Sequence, residues 1–411
     1  LHNSSSKRPG GPRRSYSARP GRPHNPHKPR YGSGKRKSTK FGKQFIDPAK
    51  FINAATKPAD QTPYQAKHVF ADFGFIKDLQ RNLDQKGYTV PTAIQDQSIH
   101  SAIEGRDIIG LANTGTGKTA AFLLPIIQRL KTDNQKQSAL IIAPTRELAT
   151  QIDDEFRAFA RGLKLYSAVC VGGMNIRPQI QQLSRHPHLI IGTPGRLKDL
   201  LDQKVLRLSQ VSFFVLDEAD RMLDMGFMPD LKAIMAYLPE KRQSLCFSAT
   251  ITPDISQLLD TLLNDPVTVS VRTQETSEQV EQNIIRYNGR EDKLEKLTEI
   301  LNQPGFERVL IFGETKFGVQ RLAETLSRSG KRAEAIHGNK SQPQRQRSLK
   351  AFKDGRVHIL VATDVAARGL DIPNVNLVIN YDTPQTYADY IHRIGRTGRA
   401  GQAGHALTFV D

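Results

Sequence analysis

Eight consecutive residues, Ala112-Asn113-Thr114-Gly115-Thr116-Gly117-Lys118-Thr119, combine glycines, a lysine and a hydroxyl at the spacing that phosphate binding needs. Gly115 and Gly117 tolerate backbone angles that a Cβ would block, so successive N–H groups can converge on phosphate oxygens. A helix beginning at this point adds its free N–H groups and the positive end of its dipole. Lys118 would reach the β- and γ-phosphates, and the Thr119 hydroxyl would bind Mg²⁺. The strict pattern has Gly where this chain has Ala112, so the stretch taken alone leaves a Gly-rich surface turn open. An acidic pair, Asp217-Glu218, opens the tetrapeptide Asp217-Glu218-Ala219-Asp220. Asp217 suits Mg²⁺ held through water, and Glu218 could polarise an attacking water. Acidic helix N-termini are common, so the tetrapeptide gains weight only together with the loop. The two together imply a nucleoside triphosphate hydrolase.

Such groups have to be held at strand ends. Ile108, Ile109 and Leu111 precede the loop and Ala120 to Leu124 follow it, a strand and then a helix. Apolar runs predict strands at Ile108–Leu111, Leu140–Ala143, Ser167–Val171, Leu189–Ile191, Phe213–Leu216 and Leu245–Phe247, with amphipathic segments such as Glu147–Ala160 and Pro229–Leu238 between them. The pattern breaks after Val271 and resumes at Asn283–Tyr287, Val309–Phe312, Arg332–Ile336, Ile359–Ala362, Leu377–Asn380 and Ala406–Val410. Continuous apolar strands alternating with helices imply parallel sheets covered on both faces. Open sheets of this kind bind ligands just past their strand ends. The expected organisation is a disordered basic arm (1–50), a linker (51–66), a first α/β domain (67–271), a second linker (272–279) and a second α/β domain (280–411). Strand order is not legible from periodicity.

Composition narrows the class. The 411 residues are 38% apolar and 24% charged, which suits a soluble globular protein with real cores. No apolar run reaches the ~18 residues that span a bilayer, and the N-terminus has no apolar signal region, so no membrane partner is expected. Cys170 and Cys246 each lie in an apolar stretch and read as buried small side chains, which points to a reducing, cytoplasmic setting. The chain opens on Leu1, not Met, and the expectation is that the true start is missing. Of the net charge of +18, residues 1–50 contribute +13, with 14 Lys/Arg against Asp47. This arm, rich in Pro, Gly and Ser, cannot bury enough surface to order itself. Counterion release on a polyanion is its physics, and Tyr16, Tyr31, Phe41 and Phe45 could stack on bases. A solubilising tail or a membrane-surface contact is the alternative.

The acidic tetrapeptide and the loop together resemble the signature of the DEAD-box family of ATP-dependent RNA helicases, and matching motifs run in the family's order from Phe70 to Val410. Gly87-Tyr88 with Pro91-Thr92-Ala93-Ile94-Gln95 resembles the Q motif, with Phe70 at the place of its isolated upstream aromatic. Tyr88 can stack on a purine, and the Gln95 amide can pair with adenine N6 and N7, which implies ATP over GTP. The family tolerates Ala at the position of Ala112. Pro144-Thr145-Arg146-Glu147-Leu148-Ala149, Gly172-Gly173 and Thr193-Pro194-Gly195-Arg196 match first-domain RNA motifs, which makes Pro144, Arg146, Gly172, Gly173, Thr193, Gly195 and Arg196 expected RNA contacts. Ser248-Ala249-Thr250 matches the motif held to link the nucleotide site with strand separation.

In the second domain, Leu310 to Lys316 resembles motif IV only loosely after Phe312, while Gln342 and Arg345 match a Q-x-x-R element expected to touch RNA. Ala362 to Asp371 matches motif V, which implies Thr363 facing RNA with Gly369 and Asp371 near the ATP ribose and phosphate. His392-Arg393-Ile394-Gly395-Arg396-Thr397-Gly398-Arg399 is a full motif VI, which makes His392, Arg396 and Arg399 catalytic candidates, the two arginines as fingers on the γ-phosphate.

The resemblance thus implies α/β architecture with two RecA-like parallel-sheet domains in tandem, ATP and Mg²⁺ as cofactors, and a bacterial-type monomer. Its substrate would be RNA, bound without regard to sequence, as a single strand, a short duplex or part of a ribonucleoprotein. Two other readings stay open: a non-enzymatic RNA clamp gated by ATP, and a DNA helicase of the same architecture.

Overall fold

The computed structural model describes residues 46–53, 64–113, 115–133, 138–271, 280–367, 375–398 and 404–411. The basic arm up to residue 45 and the 272–279 linker fall outside the described residues.

The apolar runs become strands of two parallel sheets. The first contains β1 (Ile108–Leu111), β2 (Ser138–Ile142), β3 (Ser167–Cys170), β4 (Leu189–Gly192), β5 (Val211–Asp217), β6 (Gln243–Ser248) and β7 (Val267–Ser270), in the order β3-β4-β2-β5-β6-β1-β7. The second contains β8 (Val280–Arg286), β9 (Val309–Phe312), β10 (Ala333–Ile336), β11 (Ile359–Ala362), β12 (Leu377–Asn380) and β13 (Gly404–Val410), in the order β10-β11-β9-β12-β13-β8. Central strands such as β4, β9 and β12 are buried at every position because helices cover both faces. The first sheet packs Phe122, Ile126, Ile152 and Phe156 on one face and Leu197, Met222, Leu231 and Leu258 on the other.

Two features depart from the sequence expectation. Strand β7 was not expected. It is a sheet edge on which only Val269 is fully buried, so its sequence shows no continuous apolar run. Residues 46–53, expected as arm and linker, form a turn at Pro48–Phe51 that packs Phe51, wholly buried, against the second sheet.

Packing also decides residues close to the ligand loop. A Cβ on Gly110, in β1, would lie 2.4 Å from the Phe247 ring and 3.4 Å from Ile94. Cys170 and Cys246 are buried and free, and burial pushes the Cys170 thiol up to about 12. No helix among the described residues is long and apolar enough to cross a membrane.

Candidate nucleotide and RNA site

Three strand ends of the first sheet finish level. Leu111 of β1 pairs with Ser248 of β6, and Asp217 of β5 pairs with Phe247. From β1 the chain turns into the glycine-rich loop, where Ala112, buried, donates its N–H to the Ser248 carbonyl (3.0 Å). The Thr116 hydroxyl donates to the Asn113 carbonyl (2.8 Å). Gly115 and Gly117 have φ of 87° and 95°, as the sequence demands. Gly117 caps the helix Lys118–Thr132, so Lys118, buried, and Thr119, half-buried, stand at its first turn. Thr114 lies outside the described residues.

The Q-motif residues back this loop. Gln95 is buried; its Oε1 accepts the Thr92 N–H (2.9 Å) and its Nε2 donates to the Gly117 carbonyl (3.1 Å). Part of its amide capacity is therefore used inside the chain, and the helix Ala93–Ile103 is tied to the loop. Tyr88 is half-buried between Phe70 and Phe159, with ring centroids at 5.4 and 5.5 Å, and burial pushes its hydroxyl up to about 12. Phe70 is only 1% exposed. Its ring packs edge-on against Tyr88.

The acidic tetrapeptide divides its work. Asp217 is buried, and its Oδ1 has no hydrogen-bond partner. Burial pushes this carboxyl up, against the pull of the Lys118 charge. Glu218 takes a left-handed backbone (φ 55°, ψ 52°), unfavourable for a residue with a Cβ, and pairs with buried Arg221 (2.9 Å). Asp220 Oδ2 accepts the N–H groups of Ala249 and Thr250, each at 3.1 Å, and the Thr250 hydroxyl at 3.3 Å. The turn after β6 is thereby bound to the end of β5.

On the other side of the first sheet, Thr145 caps the helix Arg146–Phe159, accepting the Leu148 N–H (3.2 Å), with Pro144 buried before it. The Arg146 guanidinium lies across Gly172 and Gly173: a Cβ on Gly173, whose φ is 69°, would come within 2.0 Å of it. Thr193 precedes the helix Pro194–Asp202, on which Gly195 and Arg196 stand in the first turn. Arg196 donates to Gln179 Oε1 (2.9 Å) and to the Met174 carbonyl. Burial lowers the Arg146 pKa, with Arg345 and Arg196 adding to the effect.

That Arg345 comes from the second lobe. Glu147 Oε1 accepts from both Gln342 Nε2 and Arg345 Nη2, each at 3.0 Å. Gln342 is 1% exposed and Arg345 9%. In this conformation both are buried in a contact between the two lobes. Thr363 is buried, its carbonyl capping the short helix Asp364–Ala367. Arg396 is 3% exposed in the turn after the helix Tyr387–Ile394, and His392 is half-buried on that helix. Gly369, Asp371 and Arg399 lie outside the described residues.

This arrangement has close relatives. The chain matches the DEAD/DEAH box helicase family over residues 92–258 and the helicase conserved C-terminal domain over residues 292–401. It is 43% identical over 342 residues to the DEAD-box ATP-dependent RNA helicase CshA of Geobacillus kaustophilus, an alignment covering 83% of this chain and 73% of that protein. The chain belongs to the DEAD-box family of ATP-dependent RNA helicases. A second DEAD-box relative, CshA of Streptococcus pneumoniae, is 45% identical over 344 residues, covering 83% of this chain but 65% of its own length. Among solved structures, S. cerevisiae Dbp5 bound to RNA and ADP BeF3 is 31% identical with a TM-score of 0.73, covering 83% of this chain and 89% of that one.

Within the DEAD-box framework, several residues hold the site without having been singled out from sequence. Gln179 accepts the Val171 N–H (3.1 Å) as well as Arg196, and returns a bond to the Val171 carbonyl (3.1 Å), joining two motifs. Its signal was a polar residue on the inward face of the helix Ile176–Leu183. Arg393 grips Asp364 with two bonds (2.6 and 2.7 Å), and donates to Asn380 Oδ1 and the Asp382 carbonyl.

Proposed function

We propose that the chain couples ATP hydrolysis to local unwinding or remodelling of RNA and RNA–protein complexes, working as a cytoplasmic monomer. The observation that carries the reading is the strand-end cluster, in which Asp217 keeps a buried carboxylate oxygen without a hydrogen-bond partner, within electrostatic reach of Lys118. Such an oxygen suits a hydrated divalent cation, and Thr119 supplies the hydroxyl that completes the protein's share of the ligands. When bound, Mg²⁺ neutralises charge on the β- and γ-phosphates. Tyr88 and Gln95 would hold the adenine, the loop amides and Lys118 the phosphates, and Glu218 the attacking water.

Arg146, Arg196 and the Gly172-Gly173 turn offer guanidinium and backbone N–H groups to a phosphate chain, a pattern that fixes position without reading sequence. Arg396 and Arg399 would complete the pocket from the second lobe. Glu147, by joining Gln342 and Arg345, favours the arrangement in which both lobes serve one site, so ATP and RNA should bind with positive coupling. The Dbp5 relative, bound to RNA and ADP BeF3, supports this reading by likeness.

ATP turnover measured with matched RNA and DNA strands tests the proposal. Stimulation by RNA is expected; turnover indifferent to RNA would reject it, and equal stimulation by DNA would reject the choice of nucleic acid. Two variants refine the test. Gly173→Ala displaces Arg146, and RNA affinity should fall about tenfold, the worth of one charge-assisted hydrogen bond, while nucleotide affinity without RNA holds. Asp217→Asn removes a buried charge whose ionisation burial opposes. Its unfolding midpoint without metal should rise by roughly 2–4 °C per kcal/mol relieved, while Mg²⁺-dependent nucleotide binding is lost. A lowered midpoint would count against the assignment of Asp217.

A further inference from the structure

Residues 46–53 precede the first lobe in sequence, yet they pack on the second. Asp47 Oδ1 accepts the Ala49 N–H (2.9 Å), which starts the turn Pro48–Phe51. The turn buries Phe51 completely among Val280, Tyr390, Ile394, Ala406 and Val410. The Phe51 and Tyr390 rings lie 4.7 Å apart at 56°, a favourable tilted pair. Asn53 then exchanges two backbone hydrogen bonds with Gln282 on the outer edge of β8 (3.0 and 2.8 Å). Gln282 Oε1 in turn accepts the Tyr390 hydroxyl (2.8 Å). Phe51, Gln282 and Tyr390 form one continuous layer under the helix Tyr387–Ile394.

That helix has eight residues, too short to hold its shape without packing. One side is fixed by Arg393, through Asp364, Asn380 and the Asp382 carbonyl. The other rests on Tyr390 and Ile394, and so on Phe51. The chain leaves the helix at Gly395 and goes directly into Arg396. We propose that residues 46–53 are a plug that sets this helix and thereby aims Arg396, which makes Phe51 a positioning residue for phosphoryl transfer. The proposal rests on the reading of Arg396 given above. Only ten residues separate the plug from Tyr64, whose hydroxyl donates to Asp96 Oδ2 (2.5 Å) beside Gln95. One stretch of chain is thus anchored next to motif VI at one end and next to the Q motif at the other.

The test uses the full chain carrying Phe51→Ala, Phe51→Leu or Asn53→Pro, the last removing the N–H given to Gln282 while leaving the ring. RNA-stimulated kcat of Phe51→Ala should fall roughly ten- to a hundredfold, as expected when a group facing the reaction is misaimed. Affinity for ADP·BeF₃ with RNA should fall with it, while affinity for ADP alone stays unchanged. Phe51→Leu should restore most of the rate, and Asn53→Pro should lower it by less than Phe51→Ala. The chain has no Trp, so Phe51→Trp reports burial of the plug directly through blue-shifted emission. A lowered unfolding midpoint with unchanged kcat would overturn the proposal, leaving the plug as a brace for the fold. If Phe51→Ala does not fold, Asn53→Pro decides, and its unchanged kcat is a rejection. Arg396→Ala separates the two layers of argument. If it retains full turnover, the reading of Arg396 fails; if it is inactive while Phe51→Ala is normal, only the plug fails.

Discussion

Replacing Arg396 with Ala is expected to lower RNA-stimulated ATP turnover by roughly 10³–10⁵, the range associated with removal of an arginine that stabilises transferring phosphoryl charge. Arg393 spends its donors on Asp364, Asn380 and the Asp382 carbonyl and lies against the Phe312 ring. It is a structural cation whose loss would damage the second lobe. Arg396, 3% exposed in the following turn, is the arginine proposed above to meet the γ-phosphate. ATP binding should survive its removal, because the loop, Tyr88 and Gln95 all belong to the first lobe. Arg396→Lys should recover only part of the rate, since an ammonium lacks the planar fork of a guanidinium. Single-turnover hydrolysis with RNA saturating is the measurement, and a variant within tenfold of the parent would remove Arg396 from the mechanism.

Glu218→Gln should slow the hydrolytic step by roughly 10²–10⁴, the usual contribution of a positioned general base. Gln keeps the length of the side chain and can still accept from Arg221 Nη1, so the buried contact at 2.9 Å is weakened, not emptied. The left-handed backbone at this position is retained as well, with its cost of about 1–2 kcal/mol. That strain makes sense if the residue is held where the reaction needs it. ATP and RNA should then bind together and stay, so the variant releases RNA more slowly than the parent in ATP. Rapid turnover by this variant would assign the water to another group.

Much of the scaffold was legible because burial on both faces leaves a plain trace. Ile108–Leu111, Val309–Phe312, Ile359–Ala362 and Leu377–Asn380 are unbroken or nearly unbroken apolar runs, and each is a strand with those bounds. Strand β7 was not legible, since an edge with one well-covered face has no such run. Phe51 was hidden for a different reason: it follows a basic, proline-containing stretch, and its partners lie more than two hundred residues later. Within the site, the loop and the acidic tetrapeptide could be read because their chemistry is local. Partners could not. Nothing in the spelling of the motifs says that Glu147 receives both Gln342 and Arg345, that Phe70 supports Tyr88, or that Gln179 joins Val171 to Arg196. Those are long-range pairings, which one sequence does not encode in any local pattern.

Gly110 carries a further lesson for anyone altering this molecule. It sits two residues before the ligand loop begins, where intuition would assign its missing side chain to the approach of a ligand, yet the room is taken by Phe247 and by Ile94, the neighbour of Gln95. A randomised library at 110 should therefore lose every alternative, and the survivors of a second round should carry a smaller residue at 247. Recovery by that neighbouring trimming would show that the entry to the loop is shaped from within the interior, by the Phe247 ring that fills the space beside residue 110.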